Sequence, residues 1–314
     1  MLIGHERIVE YFNNLLKRER LAHGYAFCGP EGVGKRTLAL YIAQNIFCPE
    51  VIIRNHKRDV CSICISITRG EHQNTIVIKT DNDGAKKNIS IEQIRQLRKK
   101  LMLKEMEGRR RIIIIDGAEF MNTEAANAFL KTLEEPFSNI NFFLITQSVS
   151  ALLQTTASRV QSVRFNVVSD GKIEKALLAK GIEEKLAKEC VSLANGCPGL
   201  AIAIAQDKEL HAATKEINKT AKYFISDFIS ERLKLPVILA EDREEAALQI
   251  NKWLLVLEGL MREQLQKGDP KVRLTANSAE KLLRLAELVK NTNINIRLAL
   301  EQIIFDRTEN KIYH

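Results

Sequence analysis

The chain has 314 residues, of which 45% are hydrophobic and 27% charged, and its formal net charge is +8. This length allows two or three domains of ordinary size, and the positive charge gives only weak support to an acidic partner such as nucleic acid. No apolar run reaches the roughly 18 residues that cross a bilayer, and six cysteines without a compact secreted framework favour a reducing compartment, so we expect a cytoplasmic protein with no membrane segment.

The first half of the chain has the pattern of an α/β domain. Up to about residue 165, helical patterns alternate with short β-branched runs, which is typical of a parallel sheet covered by helices. The predicted strands are 24–28, 75–79, 111–115, 141–146 and 161–165. After Val168 the pattern predicts consecutive amphipathic helices, including 170–180, 183–194, 244–266 and 278–290. Trp253, Phe224 and Phe228 are predicted to lie in the core of the last helical region.

A phosphate-binding loop follows the first predicted strand. Residues 29–37 read Gly-Pro-Glu-Gly-Val-Gly-Lys-Arg-Thr, which matches the pattern G-x-x-x-x-G-K-[ST] except at its last position. In such loops the glycines let backbone N–H groups and a helix N-terminus face the phosphates, and the lysine adds a positive charge. The residues that keep this cradle are Gly29, Gly32, Gly34 and Lys35.

The positions that handle metal and water depart from the same pattern. Arg36 stands where a hydroxyl should bind magnesium, and a guanidinium cannot ligate a cation. Thr37 is turned by about 100° around the helix from that position, so it is a poor substitute. Asp116 ends a buried strand and is predicted to be the partner of Lys35. The next residue is Gly117, and Glu119 is either a substitute carboxylate or, by our preferred interpretation, a surface residue opening the next helix.

Four strings along the chain carry a family resemblance. They are Ile-Gly-His at 3–5, Leu-Ala-His-Gly-Tyr-Ala-Phe at 21–27, Ala-Asn-Ala-Phe-Leu-Lys-Thr-Leu-Glu-Glu-Pro at 126–136 and Thr-Ala-Ser-Arg at 156–159. Together with the loop they resemble bacterial clamp-loader subunits of the AAA+ class, and the string at 126–136 is the most specific. The defective metal and water positions look most like the delta prime type of DNA polymerase III subunit rather than the ATPase type called gamma or tau.

The resemblance implies a fold, a role and partners. It implies an AAA+ P-loop domain at 1–166 with a zinc module at 48–67, a helical lid domain at 167–206 and a helical collar domain at 207–314. The implied role is to assemble in a ring with gamma or tau and delta subunits and to help load the sliding clamp onto primed DNA. ATP would be bound without hydrolysis or with weak hydrolysis, and magnesium would be held poorly.

Three further features, at residues 146, 158–159 and 199, have both a functional and a structural interpretation. By resemblance, Ser158 and Arg159 form an arginine-finger motif that acts in trans on a neighbour's ATP, whereas locally Arg159 resembles a surface arginine in a salt bridge. Thr146 sits where the family senses the γ-phosphate, but capping of a strand explains it nearly as well. Gly199 replaces a sensing arginine, and it also fits a turn that begins a helix.

The cysteines at the start of the proposed zinc module lack one member. The resemblance implies four thiolates, and Ile67 stands at the fourth position. A tetrahedral Cys₃His site would need one histidine, and otherwise the module is a metal-free remnant held by packing. The candidate ligands are Cys48, Cys61 and Cys64, with His56 or His72 as the fourth.

Two other functions remain open on the sequence. One is an active clamp-loader ATPase of the gamma or tau type, in which Thr37 and Glu119 compensate for Arg36 and Gly117. The other is a degenerate AAA+ adaptor outside replication. Magnesium-dependent hydrolysis would identify the first, and co-purifying proteins would identify the second.

Overall fold

The computed structural model describes residues 2–52, 57–83, 86–102, 110–134, 139–226, 228–239, 242–291 and 294–309. Its packing divides the chain into two compact units. Unit 1 comprises Met1–Ala176 with Cys197–Leu200, and unit 2 comprises Leu177–Gly196 with Ala201–His314. The three-domain division at 166 and 206 stays a prediction.

Unit 1 is built on a five-stranded parallel sheet. Its strands are β1 (Gly24–Cys28), β2 (Thr75–Lys79), β5 (Arg111–Asp116), β6 (Ile140–Thr146) and β7 (Gln161–Arg164), in the spatial order β2-β5-β6-β1-β7. A separate antiparallel pair, β3 (Asp81–Asp83) with β4 (Lys86–Asn88), was not predicted. The helices of this region are α1 (Glu6–Lys17), α2 (Lys35–Phe47), α3 (Ser62–Arg69), α4 (Ile91–Leu101), α5 (Thr123–Glu134), α6 (Gln154–Ala157) and α7 (Asp170–Leu178).

The central strands are almost entirely buried because both faces of the sheet are covered. Successive side chains of a strand point to opposite faces, so β5 sends Ile113 and Ile115 into one core and Ile112 and Ile114 into the other. All seven residues of β6 are buried for the same reason. The five predicted strands are confirmed to within one residue at either end. The predicted α/β P-loop fold with a helical C-terminal region is therefore correct.

The remaining helices pack into unit 2. They are α8 (Glu184–Ala194), α9 (Pro198–Gln206), α10 (Lys208–Tyr223), α11 (Ile229–Arg232), α12 (Leu235–Ile238), α13 (Arg243–Lys267), α14 (Val272–Asn291) and α15 (Ile296–Glu309), of which α9 begins in unit 1. The helix predicted at 278–290 begins six residues earlier, directly after Pro270 and Lys271, because proline is accommodated just before or within a first helical turn. No helix in the described part of the chain has the length and apolar character needed to cross a bilayer.

The core of unit 2 forms around Trp253. This indole is fully buried, its Nε1 donates a hydrogen bond to Thr220 Oγ1 at 2.9 Å, and the Phe224 ring packs edge-on at 5.2 Å. The prediction that Trp253 and Phe224 are core residues is confirmed. The prediction for Phe228 is wrong, because this residue precedes α11 as its N-cap and its surface is 70% exposed.

Candidate functional site

The glycine-rich loop joins the end of β1 to the start of α2. Gly29 has φ +151° and Gly34, the N-cap of α2, has φ +114°, values that L side chains rarely adopt. A Cβ atom at Gly29 would lie 2.4 Å from the carbonyl oxygen of Phe165, so the backbone packs too tightly there for any side chain. Gly32 also has positive φ, at +77°. The predicted glycines thus form one tightly packed turn at a helix N-terminus.

Lys35 lies inside this turn. Its side chain is mostly buried, and Nζ donates hydrogen bonds to the carbonyl oxygens of Gly29 and Pro30, the second at 2.7 Å. Burial lowers the pKa of this ammonium, and the carboxylates of Glu119 and Glu31 act against that shift. The lysine is therefore held against the loop by the loop's own carbonyl groups.

Arg36 forms an ion pair with Asp116. Its Nε lies 3.6 Å from Asp116 Oδ2, and the two side chains are 38% and 29% exposed. The expectation that Asp116 pairs with Lys35 is therefore corrected: the carboxylate at the end of β5 faces the arginine, since Lys35 turns back onto loop carbonyls. Arg36, which stands where the motif has a hydroxyl, thus lies beside Asp116, the carboxylate that would help to bind magnesium in such proteins.

A cavity of about 250 Å³ opens beside the loop at the carboxyl ends of β2, β5 and β6. Ligands of open α/β sheets bind at this edge. Its lining residues are Glu31, Lys35, Lys79, Thr80, Asp116, Gly117, Glu119, Phe120, Ile145, Thr146 and Gln147. The structure thus brings together three of the predicted site residues, Lys35, Asp116 and Thr146. Thr37 is exposed and, within the described chain, does not line the cavity.

Glu119 lies in the first turn of the next helical element, but its carboxylate lines the cavity rather than an open surface. It lies in a short 3₁₀ turn, Ala118–Phe120, where its Oε1 accepts a hydrogen bond from the backbone N–H of Gln147 at 3.1 Å. Its Oε2 is buried without a hydrogen-bond partner among the described residues. Because this 3₁₀ turn directly follows β5, Glu119 lies near the end of that strand, at the cavity and before α5 begins. Glu119 is thus a cavity carboxylate.

Two residues at the strand ends are constrained by their own backbone surroundings. Gly117 has φ +86°, and a Cβ there would lie 2.9 Å from the Phe120 ring, so a glutamate at this position would be strained. The hydroxyl of Thr146 donates to the carbonyl oxygen of Ser148 at 3.0 Å. This bond is the strand-capping interaction, and a role in sensing phosphate stays a prediction.

Gly199 lies directly against the phosphate loop. Its N–H donates to the carbonyl oxygen of Gly32 at 2.7 Å, and a Cβ atom at Gly199 would lie 2.8 Å from that same oxygen. The position from which the sensing arginine of the family would project is therefore closed by the loop itself. The sequence suggested the missing arginine but did not indicate this contact.

Arg159 is exposed and anchored by its own surroundings. Its NH2 lies 2.8 Å from Glu134 Oε1, and its NH1 donates to the carbonyl oxygen of Thr155 at 2.9 Å and to Ser158 Oγ at 3.3 Å. The side chain of Arg159 is 40% exposed. The salt bridge joins the motif at 156–159 to the last described residue of the string at 126–136, whose residues 135–136 lie outside the described residues.

Three cysteines form a compact thiol cluster. The sulfur atoms of Cys48, Cys61 and Cys64 lie within 4.8 Å of one another, and those of Cys48 and Cys61 are 3.7 Å apart. Burial raises the pKa of Cys64 to about 12, with the neighbouring thiols adding to the shift. Within the described residues His72 is not part of this group, and His56 lies outside them. The described residues therefore supply three of the four donors of a tetrahedral zinc site, and zinc stays a prediction.

The sequence missed two charged residues of the site. Glu31 lies within the loop and Lys79 ends β2, and both line the cavity beside Asp116. Lys79 pairs in register with Asp116 in the structure, and the sequence signal was that Lys79 ends one predicted strand and Asp116 directly follows another. Two cations and three carboxylates therefore line the cavity, with Arg36 adjoining through Asp116.

Comparisons with known proteins find subunits of DNA polymerase III. The model of the family described as DNA polymerase III, delta subunit, matches residues 4–169, more than half of the chain. The chain is 25% identical to DNA polymerase III subunit delta' of Bacillus subtilis over 95% of its length and 94% of that protein's. It is 34% identical to subunit delta' of Pseudomonas aeruginosa over 45% of its length and 42% of that protein's. It is 27% identical to subunit gamma of Buchnera aphidicola (Schizaphis graminum) over 98% of its length and 89% of that protein's.

Proposed function

We propose that this chain, which belongs to the DNA polymerase III delta subunit family, is a clamp-loader subunit that hydrolyses ATP weakly or not at all. The observation that carries this proposal is the ion pair between Arg36 and Asp116 beside Gly117. P-loop proteins that hydrolyse ATP bind magnesium through a hydroxyl and a strand-end carboxylate, and they position an attacking water. Here an arginine replaces the hydroxyl and engages the carboxylate, and position 117 has no side chain.

The chain would then act on the nucleotide of a neighbouring subunit through Arg159. Its side chain is 40% exposed, and the carbonyl oxygen of Thr155, Ser158 Oγ and Glu134 Oε1 fix its position. A guanidinium that faces the γ-phosphate offsets the charge that develops during transfer, and it can contribute roughly 10³ to 10⁵ in rate. Arg159 is the catalytic residue of this proposal, acting in trans, and Ser158 helps to orient it.

Unit 2 offers the surface for ring assembly. Several large apolar side chains on its long helices are 47% to 64% exposed: Leu248, Leu255, Leu265, Leu283 and Leu298. Contiguous exposed apolar patches mark interfaces between proteins, and we propose that these leucines contribute to such a patch. The proposed partners are the gamma or tau and delta subunits, with the sliding clamp and primed DNA engaged through the assembled complex.

The test is ATP turnover by a complex reconstituted with gamma or tau and delta subunits, with magnesium, clamp and primed DNA. Arg159→Ala is expected to lower the clamp-stimulated turnover at the site that it faces by at least about tenfold, a cautious fraction of the rate that a finger contributes. Arg164→Ala is the matched control, because this exposed arginine of β7 lies in the same unit and keeps the charge change equal. Equal turnover by the two variants, in complexes of equal composition, would refute the finger assignment.

Glu134 supplies a second arm of the same test. Because Glu134 pairs with Arg159 at 2.8 Å, Glu134→Gln should loosen the finger without removing it. We expect turnover between that of the unmodified complex and that of the Arg159→Ala complex. Turnover below that of Arg159→Ala would mean that Glu134 itself, rather than the arginine, is the group required.

Glu119 favours a second candidate, an active ATPase of the gamma or tau type. Its carboxylate lies in the cavity with one oxygen free of hydrogen bonds among the described residues, as a group that polarises water would. This candidate requires magnesium-dependent turnover by the isolated chain that both Lys35→Ala and Glu119→Gln abolish. If the isolated chain shows no such turnover, the first proposal is supported.

A further inference from the structure

The residues beside the phosphate loop do not fit the magnesium ion that the fold family uses. The hydroxyl ligand is replaced by Arg36, whose Nε lies 3.6 Å from Asp116 Oδ2, and Thr37 is exposed on the helix. A divalent ion between the loop and Asp116 would have to displace this guanidinium or lie beside it, and like charges at that range repel. Both expected magnesium ligands are therefore affected: the hydroxyl is absent, and Asp116 is paired with Arg36.

We propose that Arg36 takes the place of that ion, and that the chain binds the phosphates of a nucleotide without a divalent metal. This inference rests on the nucleotide site of the proposed function and names its binding mode. Arg36 becomes the counter-charge of Asp116 and a phosphate ligand, next to Lys35 and the N–H groups of the loop. The ligand class is a nucleoside triphosphate or diphosphate free of metal.

The charges around the loop explain why a resident cation is needed. Glu31, Asp116 and Glu119 all line the cavity with Lys35, and a phosphate entering there meets their repulsion. Lys35 is already engaged by two loop carbonyls. Arg36 lies close enough to Asp116 to offset the carboxylate charge, so the phosphate would face a neutral pair rather than an anion.

The geometry leaves Arg36 able to bind a second anion. Its Nε is the atom that faces Asp116, at 3.6 Å from Oδ2 and without a hydrogen bond among the described residues, and 38% of the side chain is still exposed. An arginine carries five N–H donors in a planar fork that matches carboxylate and phosphate oxygens. A single guanidinium can therefore bridge Asp116 and a phosphate, as a bridging metal ion does, although it carries one positive charge instead of two.

The consequence is binding that is independent of magnesium. In a motif with an intact hydroxyl, removing the ion leaves Asp116 and the phosphates facing one another, so affinity falls. With Arg36 present, the repulsion is offset whether or not magnesium is in solution. The same arrangement is consistent with the weak hydrolysis proposed above, because an arginine beside Asp116 does not position a water for attack.

The test is calorimetric titration of the full chain with ATP, once in excess magnesium and once in EDTA. For the unmodified chain we expect the two dissociation constants to agree within about twofold. For Arg36→Thr, which restores the motif's hydroxyl, we expect binding in EDTA to be at least about tenfold weaker than in magnesium, a change of about 1.4 kcal/mol. Lys35→Ala should lose binding in both solutions, which shows that the signal comes from the loop.

Arg284→Thr serves as the matched control, since it removes an arginine from an ion pair on α14, with Glu280 at 2.7 Å, and changes the net charge equally. It should bind like the unmodified chain in both solutions. Two results would overturn the inference: binding by the unmodified chain that magnesium tightens tenfold or more, or no ATP binding by the folded chain in either solution. Neither touches the finger proposal, which is judged separately by the effect of Arg159→Ala on the assembled complex.

Discussion

Gly199→Ala tests whether the start of α9 packs in direct backbone contact with the phosphate loop. The added Cβ would lie 2.8 Å from the carbonyl oxygen of Gly32 and 3.2 Å from its Cα, both of them backbone atoms that cannot rotate away. The two segments must separate, and the hydrogen bond from Gly199 N–H to that oxygen, 2.7 Å long, is weakened. The substitution therefore affects packing and hydrogen bonding at one contact.

The expected magnitude follows from those two effects. Overpacking costs about 1–3 kcal/mol, and loss of a hydrogen bond adds about 1 kcal/mol. Replacing glycine by alanine returns about 0.4–1 kcal/mol, because the unfolded chain loses freedom. We expect a net loss of about 2 kcal/mol in the free energy of unfolding, which corresponds to about 4–8 °C in Tm for a unit of this size.

The assay is thermal and urea unfolding followed by circular dichroism, with Gly171→Ala as the matched control. Gly171 is in α7, and a Cβ there meets nothing within 4 Å, so alanine should leave stability unchanged or raise it by up to about 1 kcal/mol. If Gly199→Ala is as stable as Gly171→Ala, the contact between α9 and the loop does not exist as described.

Two further predictions concern the hydrogen bond between Trp253 and Thr220 and the thiol cluster. Thr220→Val should destabilise unit 2 by about 1–3 kcal/mol because it leaves the N–H of Trp253 without its acceptor, whereas Thr220→Ser should cost about 1 kcal/mol or less. Urea unfolding followed by the fluorescence of this single tryptophan measures both effects. Equal unfolding midpoints for the two variants would contradict the hydrogen bond. If a fourth ligand completes the thiol cluster as a zinc site, strong chelators should lower Tm by more than about 2 °C and added zinc should restore it, whereas a smaller shift would show that the cluster is held by packing alone.

The sheet was predictable because its sequence signal is local. Runs such as Ile112–Ile115 are buried on both faces and have no other stable location, and the glycines of residues 29–34 identify the turn that follows β1. The short pair β3 and β4 was missed, since its polar residues Asp81–Asp83 and Lys86–Asn88 carry no apolar alternation. The strand ends then fixed the place of Asp116 and Thr146 at the cavity.

The partners within the site were less predictable, because they depend on where side chains turn after the backbone is placed. Lys35 was expected on Asp116 but binds loop carbonyls, and Arg36 takes the carboxylate instead. The cavity position of Glu119 depends on a single 3₁₀ turn after β5. The contact of Gly199 with Gly32 joins residues that are distant in sequence, and no local pattern reports it. The departures from the motif indicated that magnesium binding and water activation are altered, and the structure showed that Arg36 pairs with Asp116 instead.

The most direct test of the central claim is ATP turnover by the purified, folded chain alone, with magnesium and primed DNA, compared with Lys35→Ala. Our account predicts turnover at or only slightly above the Lys35→Ala background, because Arg36 lies beside Asp116 and Gly117 supplies no group for the attacking water. Magnesium-dependent turnover at least about a hundredfold above that background would contradict it and would show that this chain is itself a motor.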